Sequence, residues 1–345
     1  MKDMIAIRVD MNNQIATGHL MRCLSIAEAL RLQNEEVMFI VADEQPIEFL
    51  SQRNFRYIVL NTQWNNMESE VKELTKIIID KNIDKLLIDS YQVTYKYLNE
   101  ISNITKTIYI DDLGKFEYPV NTVICYANYW KKLGYDLNNT KTKYFLGMKY
   151  VPLRKEFWNI KNKHISDKVE NVLIMTGGSD PYNIAGLMLC GIDRSEYKKI
   201  DVICGRYNSN YNDLVAGYRN ESNVSIHRNV NNMEDYMTNA DVAMSAGGTT
   251  LYELCACGTP TISYTFVDNQ IDNAKQFDED GLIRYAGDVR DGDIVKSINS
   301  ILKKMKDDYK QRKDMSHRMQ LCVDGRGTMR VADIMCEKMY IERGR

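Results

Sequence analysis

The sequence predicts an α/β chain of two Rossmann-like, parallel-sheet halves facing each other across a cleft. Three observations carry this expectation. The chain has 345 residues, and at about 150 residues per domain that length points to two domains. Short β-rich runs alternate with longer amphipathic runs, the pattern of a parallel sheet with helices on its faces. The alternation lapses once, over 157–168, and then restarts.

In the first half, strands are expected at 5–9, 37–41, 57–60, 85–88, 107–110 and 122–125. The clearest helices lie between them at 18–32 and 67–80. In the first of these, Leu20, Leu24, Ala27 and Leu30 recur at helical spacing. The polar stretch 157–168 lacks strand periodicity and reads as a linker. Strands are then expected at 171–176, 200–204, 224–226, 241–245 and 261–264, followed by charged, helical C-terminal residues. The domains expected are therefore 1–156, a linker at 157–168, and 169–345. Ligands of such sheets sit at the C-terminal ends of the strands, so chemistry is sought in the turns that follow them.

Composition excludes several classes. Hydrophobic residues make up 44% and charged residues 27%, which is ordinary for a globular chain. The 45 basic and 47 acidic residues are dispersed, with a net charge of -2. Nucleic acid is therefore not an expected partner, and neither is a purely electrostatic membrane surface. Apolar runs such as 37–42 are far too short to span a bilayer, so no stable membrane insertion is expected. The N-terminus shows no signal-peptide pattern, which makes a cytoplasmic protein the expectation. The eight cysteines form no Cys-x-x-Cys pair and read as reduced, packed thiols. Cys255 and Cys257 point to different helix faces, which is poor metal geometry.

Four turns carry candidate chemistry. After the first strand come Arg8-Val9-Asp10 and then Thr17-Gly18-His19-Leu20-Met21-Arg22. His19 falls in the first turn of a helix at the strand-end face. Imidazole suits general-base work near neutral pH, and a helix N-terminus favours its neutral, proton-accepting form. A buried or capping histidine is the alternative. Neither a dinucleotide fingerprint nor a P-loop is present.

The second turn is Thr176-Gly177-Gly178-Ser179-Asp180-Pro181. Its glycines admit a ligand to backbone N–H groups, and Ser179 adds a donor. Asp180 reads as an N-cap with Pro181 at the first helical position. The third turn, Ser245-Ala246-Gly247-Gly248-Thr249-Thr250, runs into a helix whose N-terminus suits an anion. Glu253 lies about a turn further on, where a carboxylate could accept both ribose hydroxyls or be simply a surface helix glutamate. The fourth holds Asp268-Asn269-Gln270, whose amides suit sugar hydroxyl or acetamido groups, or cap a helix. Asp89 and Asp111 stand at strand ends, where they could hold the site together or touch substrate; structural hydrogen bonding is favoured over a metal because a third ligand is missing.

Taken in order, these motifs resemble one family. They are Arg8-x-Asp10, Thr17-Gly18-His19-x-x-Arg22, Asp89-x-Tyr91, Asp111-Asp112, Gly147 with Leu153-Arg154-x-x-Phe157, Gly177-Gly178-Ser179-Asp180-Pro181, Ser245-Ala246-Gly247-Gly248-Thr249-Thr250 with Glu253, Asp268-Asn269-Gln270 and Asp324-Gly325-Arg326-Gly327. The set resembles the UDP-2,4-diacetamido-2,4,6-trideoxy-β-L-altropyranose hydrolases of pseudaminic acid biosynthesis and the related spore-coat polysaccharide proteins. The resemblance implies a GT-B fold and a UDP-sugar substrate. It further implies attack of water at the anomeric carbon with inversion, and neither metal nor cofactor. It places His19 as the catalytic residue. It places Asp10, Gly18, Arg22, Tyr91, Ser179, Ser245, Gly247, Gly248, Thr249, Glu253, Asn269 and Gln270 around the substrate. Ala16 stands where the family usually has glycine, Ser90 replaces a histidine, and Cys125-Tyr126-Ala127-Asn128 replaces a more polar segment. These departures bear on the sugar more than on the nucleotide. Two other readings are an inverting glycosyltransferase of the same fold and a non-catalytic sugar-nucleotide-binding protein.

Overall fold

A computed structural model describes residues 4–12, 14–15 and 17–338; Ala16 therefore lies outside the described residues. The described chain forms two compact units, one of residues up to 155 together with 326 onward, the other of residues 156–325.

The first unit is a seven-stranded sheet. Its elements are β1 (Met4–Val9), α1 (Gly18–Leu32), β2 (Glu36–Val41), α2 (Ile47–Gln52), β3 (Arg56–Val59), α3 (Val71–Asp80), β4 (Ile83–Asp89), α4 (Tyr95–Ser102), β5 (Lys106–Ile110), β6 (Thr122–Cys125) and β7 (Lys143–Leu146). The strand order is β3-β2-β1-β4-β5-β6-β7, with every pairing parallel. The order reverses between β1 and β4. Crossover helices cover the sheet, so its central strands read as continuous apolar runs. On one face Ala6, Ile40, Leu86 and Ile88 pack with Leu74, Ile78, Leu98 and Ile101 of α3 and α4. Burying one such Leu or Ile side chain is worth roughly 1.5–3 kcal/mol.

The second unit is a six-stranded parallel sheet of order β10-β9-β8-β11-β12-β13. It comprises β8 (Asn171–Met175), α5 (Ile184–Gly191), β9 (Lys199–Cys204), α6 (Tyr211–Tyr218), β10 (Val224–Arg228), α7 (Met233–Asn239), β11 (Val242–Ala246), α8 (Thr250–Cys257), β12 (Thr261–Thr265), α9 (Ile271–Glu279), β13 (Arg284–Asp288), α10 (Ile294–Asp307) and α11 (Tyr309–Cys322). Here the order reverses between β8 and β11.

The domain boundaries differ from the expected ones in two places. Residues 157–168 are not a free linker. Phe157 is fully buried, and Arg312 of α11 donates to the Ser166 and Asp167 carbonyls at 2.8 Å each. Gln320 Nε2 donates to the Lys161 carbonyl at 3.0 Å. The last helix, α12 (Gly327–Met335), belongs to the first unit, where it packs on α1. Gln33 Nε2 donates to Asp333 Oδ1 at 2.7 Å, and Thr328 Oγ1 to the Leu153 carbonyl at 2.6 Å. α1 buries His19, Cys23, Ser25, Ile26 and Ala29 as well as the expected stripe. Gly327 makes the return feasible, because a Cβ there would stand 2.2 Å from the Val151 carbonyl oxygen.

Two strands were not expected from the sequence, β7 and β13. Both are edge strands, only partly buried along most of their length, so the hydrophobic signal is weak. Residues 67–80 form a single 3₁₀ turn (Met67–Glu70) and then α3, rather than one helix. Among the described residues no helix is long and apolar enough to cross a membrane. All eight cysteines are unbridged.

Candidate functional site

Parallel α/β sheets open a crevice where the strand order reverses, because the flanking connections leave to opposite faces. In the first unit this point lies between β1 and β4. The loop leaving β1 leads to His19 in the first turn of α1, and β4 ends on Asp89. His19 Nδ1 lies 2.6 Å from Asp89 Oδ1, with both side chains buried. Arg22, one turn along α1, grips the same carboxylate with two bonds of 2.5 Å, from Nε to Oδ2 and from Nη2 to Oδ1. Burial alone would raise the Asp89 carboxyl, but Arg22 and His19 hold it well below the usual carboxylate range. Asp89 is thus a fixed anion. Such an anion accepts the imidazole Nδ1–H and leaves the Nε2 lone pair as the proton acceptor.

The His19 ring also meets the Tyr91 ring edge-on, with centroids 4.6 Å apart. Burial and the neighbouring Asp112 push the Tyr91 phenol far above its ordinary range, so it stays protonated and donates to Asp112 Oδ2 at 2.8 Å. Tyr126 OH accepts from Arg22 Nη1 at 2.5 Å. Asp89, expected at a strand end as a hydrogen-bonding residue that could hold the site together, stands directly against His19.

Other expected residues fall differently. Gly18 is exposed as the first residue of α1, and a Cβ there would meet nothing within 4 Å. Asp10 is buried and faces inward. Its Oδ2 pairs with Arg8 Nη1 at 2.7 Å, and its Oδ1 accepts from Ala42 N–H at 2.7 Å. Arg8 in turn makes a bidentate pair with buried Glu70, at 2.8 and 2.7 Å. This geometry makes Asp10 a brace between β1 and the end of β2. Asp111 is likewise enclosed, accepting from Tyr118 at 2.8 Å and Tyr135 at 2.5 Å.

In the second unit the reversal lies between β8 and β11, and the turns after both strands are the two glycine pairs. A Cβ on Gly177 would lie 4.0 Å from the Ala246 Cβ, so the turns are neighbours. Gly177, Gly178 and Ser179 are exposed. Asp180 adopts φ +56° and does not act as an N-cap followed by a helical Pro181. Instead α5 begins at Ile184, and the Asp180 carboxylate reaches forward to the Ile184 and Ala185 N–H groups at 2.7 and 3.1 Å.

The Gly247-Gly248 turn is tightly specified. The Gly247 N–H donates to the Tyr264 carbonyl at 2.8 Å and so faces the sheet. A Cβ on Gly247 would press on Thr265 Cγ2 at 3.0 Å and Ala274 Cβ at 3.1 Å. Asn273 of α9 donates to the Gly247 carbonyl at 3.0 Å, a brace the sequence did not single out. Ser245 is buried, with its hydroxyl on the Ala246 carbonyl at 3.2 Å, and so supports the turn from beneath. Gly248 is partly exposed and Thr249 exposed at the start of α8, the end that carries partial positive charge. Glu253 is half-buried in the first turn of α8. Gln270 lies beside Gly248, its Nε2 3.9 Å from where a Gly248 Cβ would stand. Its Oε1 accepts from Phe266 N–H at 3.2 Å, and neighbouring Asn269 is exposed. Gly248, Thr249, Glu253 and Gln270 thus gather around one helix start.

Residues 172–326 match the glycosyltransferase family 28 C-terminal domain. A spore coat polysaccharide biosynthesis protein, SpsG of Bacillus subtilis, is 22% identical over 96% of this chain and 97% of its own. An uncharacterized Methanocaldococcus jannaschii protein, MJ1062, is 28% identical over 75% of this chain, which spans about half (54%) of that relative's length. A Helicobacter pylori protein is named as pseudaminic acid cytidylyltransferase and UDP-2,4-diacetamido-2,4,6-trideoxy-beta-L-altropyranose hydrolase. It is 26% identical over 58% of this chain and 37% of its own. Among solved structures, Acinetobacter baumannii MurG superposes with a TM-score of 0.72 at 12% identity, covering 98% of this chain and 100% of the other. The glycotransferase of kitacinnamycin superposes with a TM-score of 0.68 at 14% identity, covering 99% and 100%. The chain has a GT-B fold, and the matches support an enzyme that uses nucleotide sugars.

Proposed function

We propose that this enzyme is a nucleotide-sugar hydrolase that releases UDP from a UDP-diacetamido-trideoxy-hexose in surface-glycan biosynthesis. The observation that carries the reading is the short His19–Asp89 pair at the switch point of the first sheet. It is an oriented general base with its Nε2 acceptor left over. The motif set and the name of the Helicobacter relative support the substrate class.

In this reading each unit has one task. The second holds the nucleotide. The start of α8 at Gly248 and Thr249 takes the diphosphate, whose charge grows as the glycosidic bond breaks. Glu253 accepts the ribose hydroxyls, and Ser179 adds a donor from the neighbouring turn. Asn269 and Gln270 address the sugar. The first unit activates water. His19 Nε2 takes a proton as the water oxygen forms its bond to the anomeric carbon. The C–O bond to the β-phosphate breaks, and its electron pair leaves with UDP, giving the free sugar with inverted configuration. One general base supplies about 10²–10⁴-fold; positioning and the diphosphate site supply the rest.

The match to a glycosyltransferase family favours one competitor, an inverting transferase in which a sugar hydroxyl replaces water. The deciding experiment incubates purified protein with the UDP-diacetamido-trideoxy-altrose and EDTA and follows UDP release by NMR, with His19→Ala alongside. Release without an acceptor, lost in the variant, is the expected result. UDP binding without release would overturn the hydrolase and move the assignment to a transferase or another sugar.

A further inference from the structure

The resemblance places Arg22 against the substrate, yet its guanidinium is already engaged within the first unit. Nε and Nη2 hold the two oxygens of Asp89 at 2.5 Å each, and Nη1 donates to Tyr126 at 2.5 Å. The side chain is 11% exposed. Nη2 also lies 2.9 Å from His19 Nδ1. The two nitrogens come so close because both converge on Asp89 Oδ1, at 2.6 and 2.5 Å. With the proton on Nδ1, a single oxygen accepts the Nδ1–H and an Arg22 N–H together.

This arrangement answers an electrostatic problem. A buried carboxylate beside an imidazole favours the imidazolium, which is useless as a base. A carboxylate already paired with a guanidinium exerts far less of that pull while still accepting the Nδ1 proton. We propose that Arg22, held at its far side by Tyr126, is a positioning residue that neutralises Asp89 and so keeps His19 an uncharged imidazole protonated at Nδ1, rather than a ligand for the substrate's phosphates. This inference rests on the reading of His19 as the base. The charged or titratable groups around the ring are Arg22 and Cys23 on α1, Asp89 at the end of β4, Tyr91 in the next turn, Asp112 behind Tyr91, and Tyr126 after β6. Cys23 faces the carboxylate too, its thiol 3.4 Å from Asp89 Oδ2. Burial keeps that thiol protonated, so it adds no charge.

The test uses the full chain and needs no substrate for its first reading. With four histidines in the sequence, His19 is assigned by comparing ¹⁵N spectra of wild type and His19→Ala. The spectra report which ring nitrogen carries the proton and the charged-to-neutral ratio at pH 7. Arg22→Met is expected to raise that ratio by about tenfold or more, the effect of uncovering one nearby charge. Arg22→Gln, whose amide still donates to Asp89, gives a second neutral variant should the methionine not fold. In an Asp89→Asn background the same Arg22 changes are expected to leave the ratio near its starting value. An unchanged ratio in a folded Arg22 variant, or an equal rise without the Asp89 charge, would overturn the proposal. A second reading separates it from phosphate binding. Under the proposal, Arg22→Gln leaves UDP affinity unchanged, lowers kcat, and moves the acid limb of the pH profile upward. Weakened UDP binding with an unmoved profile would assign Arg22 to the nucleotide instead. A wild type inert toward every sugar nucleotide tried would count against the hydrolase, while the spectra would still decide the role of Arg22.

Discussion

His19 Nδ1 stands 2.6 Å from Asp89 Oδ1 although 70 positions separate the two residues in the chain. One belongs to the first helix and the other ends the fourth strand, and only the order β2-β1-β4 makes them neighbours. In the proposed mechanism the pairing orients a helix-start histidine as the base, and it leads to the first expected outcome.

Replacing His19 with alanine is expected to slow UDP release by roughly 10²–10⁴-fold. UDP affinity should stay unchanged, because the turn proposed to hold the nucleotide belongs to the other unit. Asp89→Asn should approach the same loss with His19 still present, since an amide can accept or donate and no longer fixes the ring. Steady-state rates and calorimetric UDP titration on both variants check this. Full activity in Asp89→Asn would remove Asp89 from the mechanism.

The two glycines of the Gly247-Gly248 turn should respond differently in stability. A methyl group on Gly247 meets Thr265 and Ala274 at 3.0–3.1 Å inside a packed region. Gly247→Ala is therefore expected to destabilise by about 1–3 kcal/mol and to weaken UDP binding by shifting the turn. Gly248 has only Gln270 Nε2 near, at 3.9 Å, so Gly248→Ala should fold normally and show any loss in ligand affinity alone. Denaturant unfolding and UDP titration on the pair separate the effects.

Asp180 combines a left-handed backbone with two capping bonds to Ile184 and Ala185. Asp180→Ala loses both advantages and is expected to cost about 1–2 kcal/mol by chemical unfolding. Asp180→Asn tolerates the same φ and keeps an acceptor, so most of the stability should remain. An alanine variant as stable as wild type would show that the cap contributes nothing.

Lys163 supplies a pH signature. Its ammonium donates to the Thr238 carbonyl at 2.5 Å, and burial pushes it down to about 8. Between that value and the ordinary 10.5 the unfolded chain binds more protons at this site than the folded chain. Stability contributed by this residue should therefore rise with pH across that window. Subtracting the unfolding curve of Lys163→Met from that of wild type at several pH values isolates the effect. A flat difference between pH 8 and 10.5 would show that the group is not desolvated as its burial indicates.

Much of the architecture was legible because central parallel strands are predominantly apolar. β6 appears in the sequence with its observed bounds, as does α1. β7 and β13 were not legible, since edge strands bury too little to leave a pattern. The return of α12 to the first unit was equally hidden. Its residues have an amphipathic face, but nothing local says which of two domains that face will meet. At the site, His19 and the Gly247-Gly248 turn stood out through residue type and position after a strand. Asn273 did not, and Asp112 and Tyr126 were noted only as motif members, because an aspartate, a tyrosine or a helical asparagine carries no local sign of its partner.

By itself the sequence determined the two-sheet α/β class, most strands, and which strand-end turns carry glycine, histidine and amide groups. Those features follow from periodicity and from backbone limits within a few residues. Strand order was decided only by the tertiary structure. That order set Asp89 beside His19, brought Asp10 against the Ala42 N–H, directed the Gly247 N–H into the sheet, and occupied Arg22 with a carboxylate from another strand. Each of these is a contact between residues far apart in the chain. Its energy depends on burial and on partner charge, and neither exists until the sheet has formed.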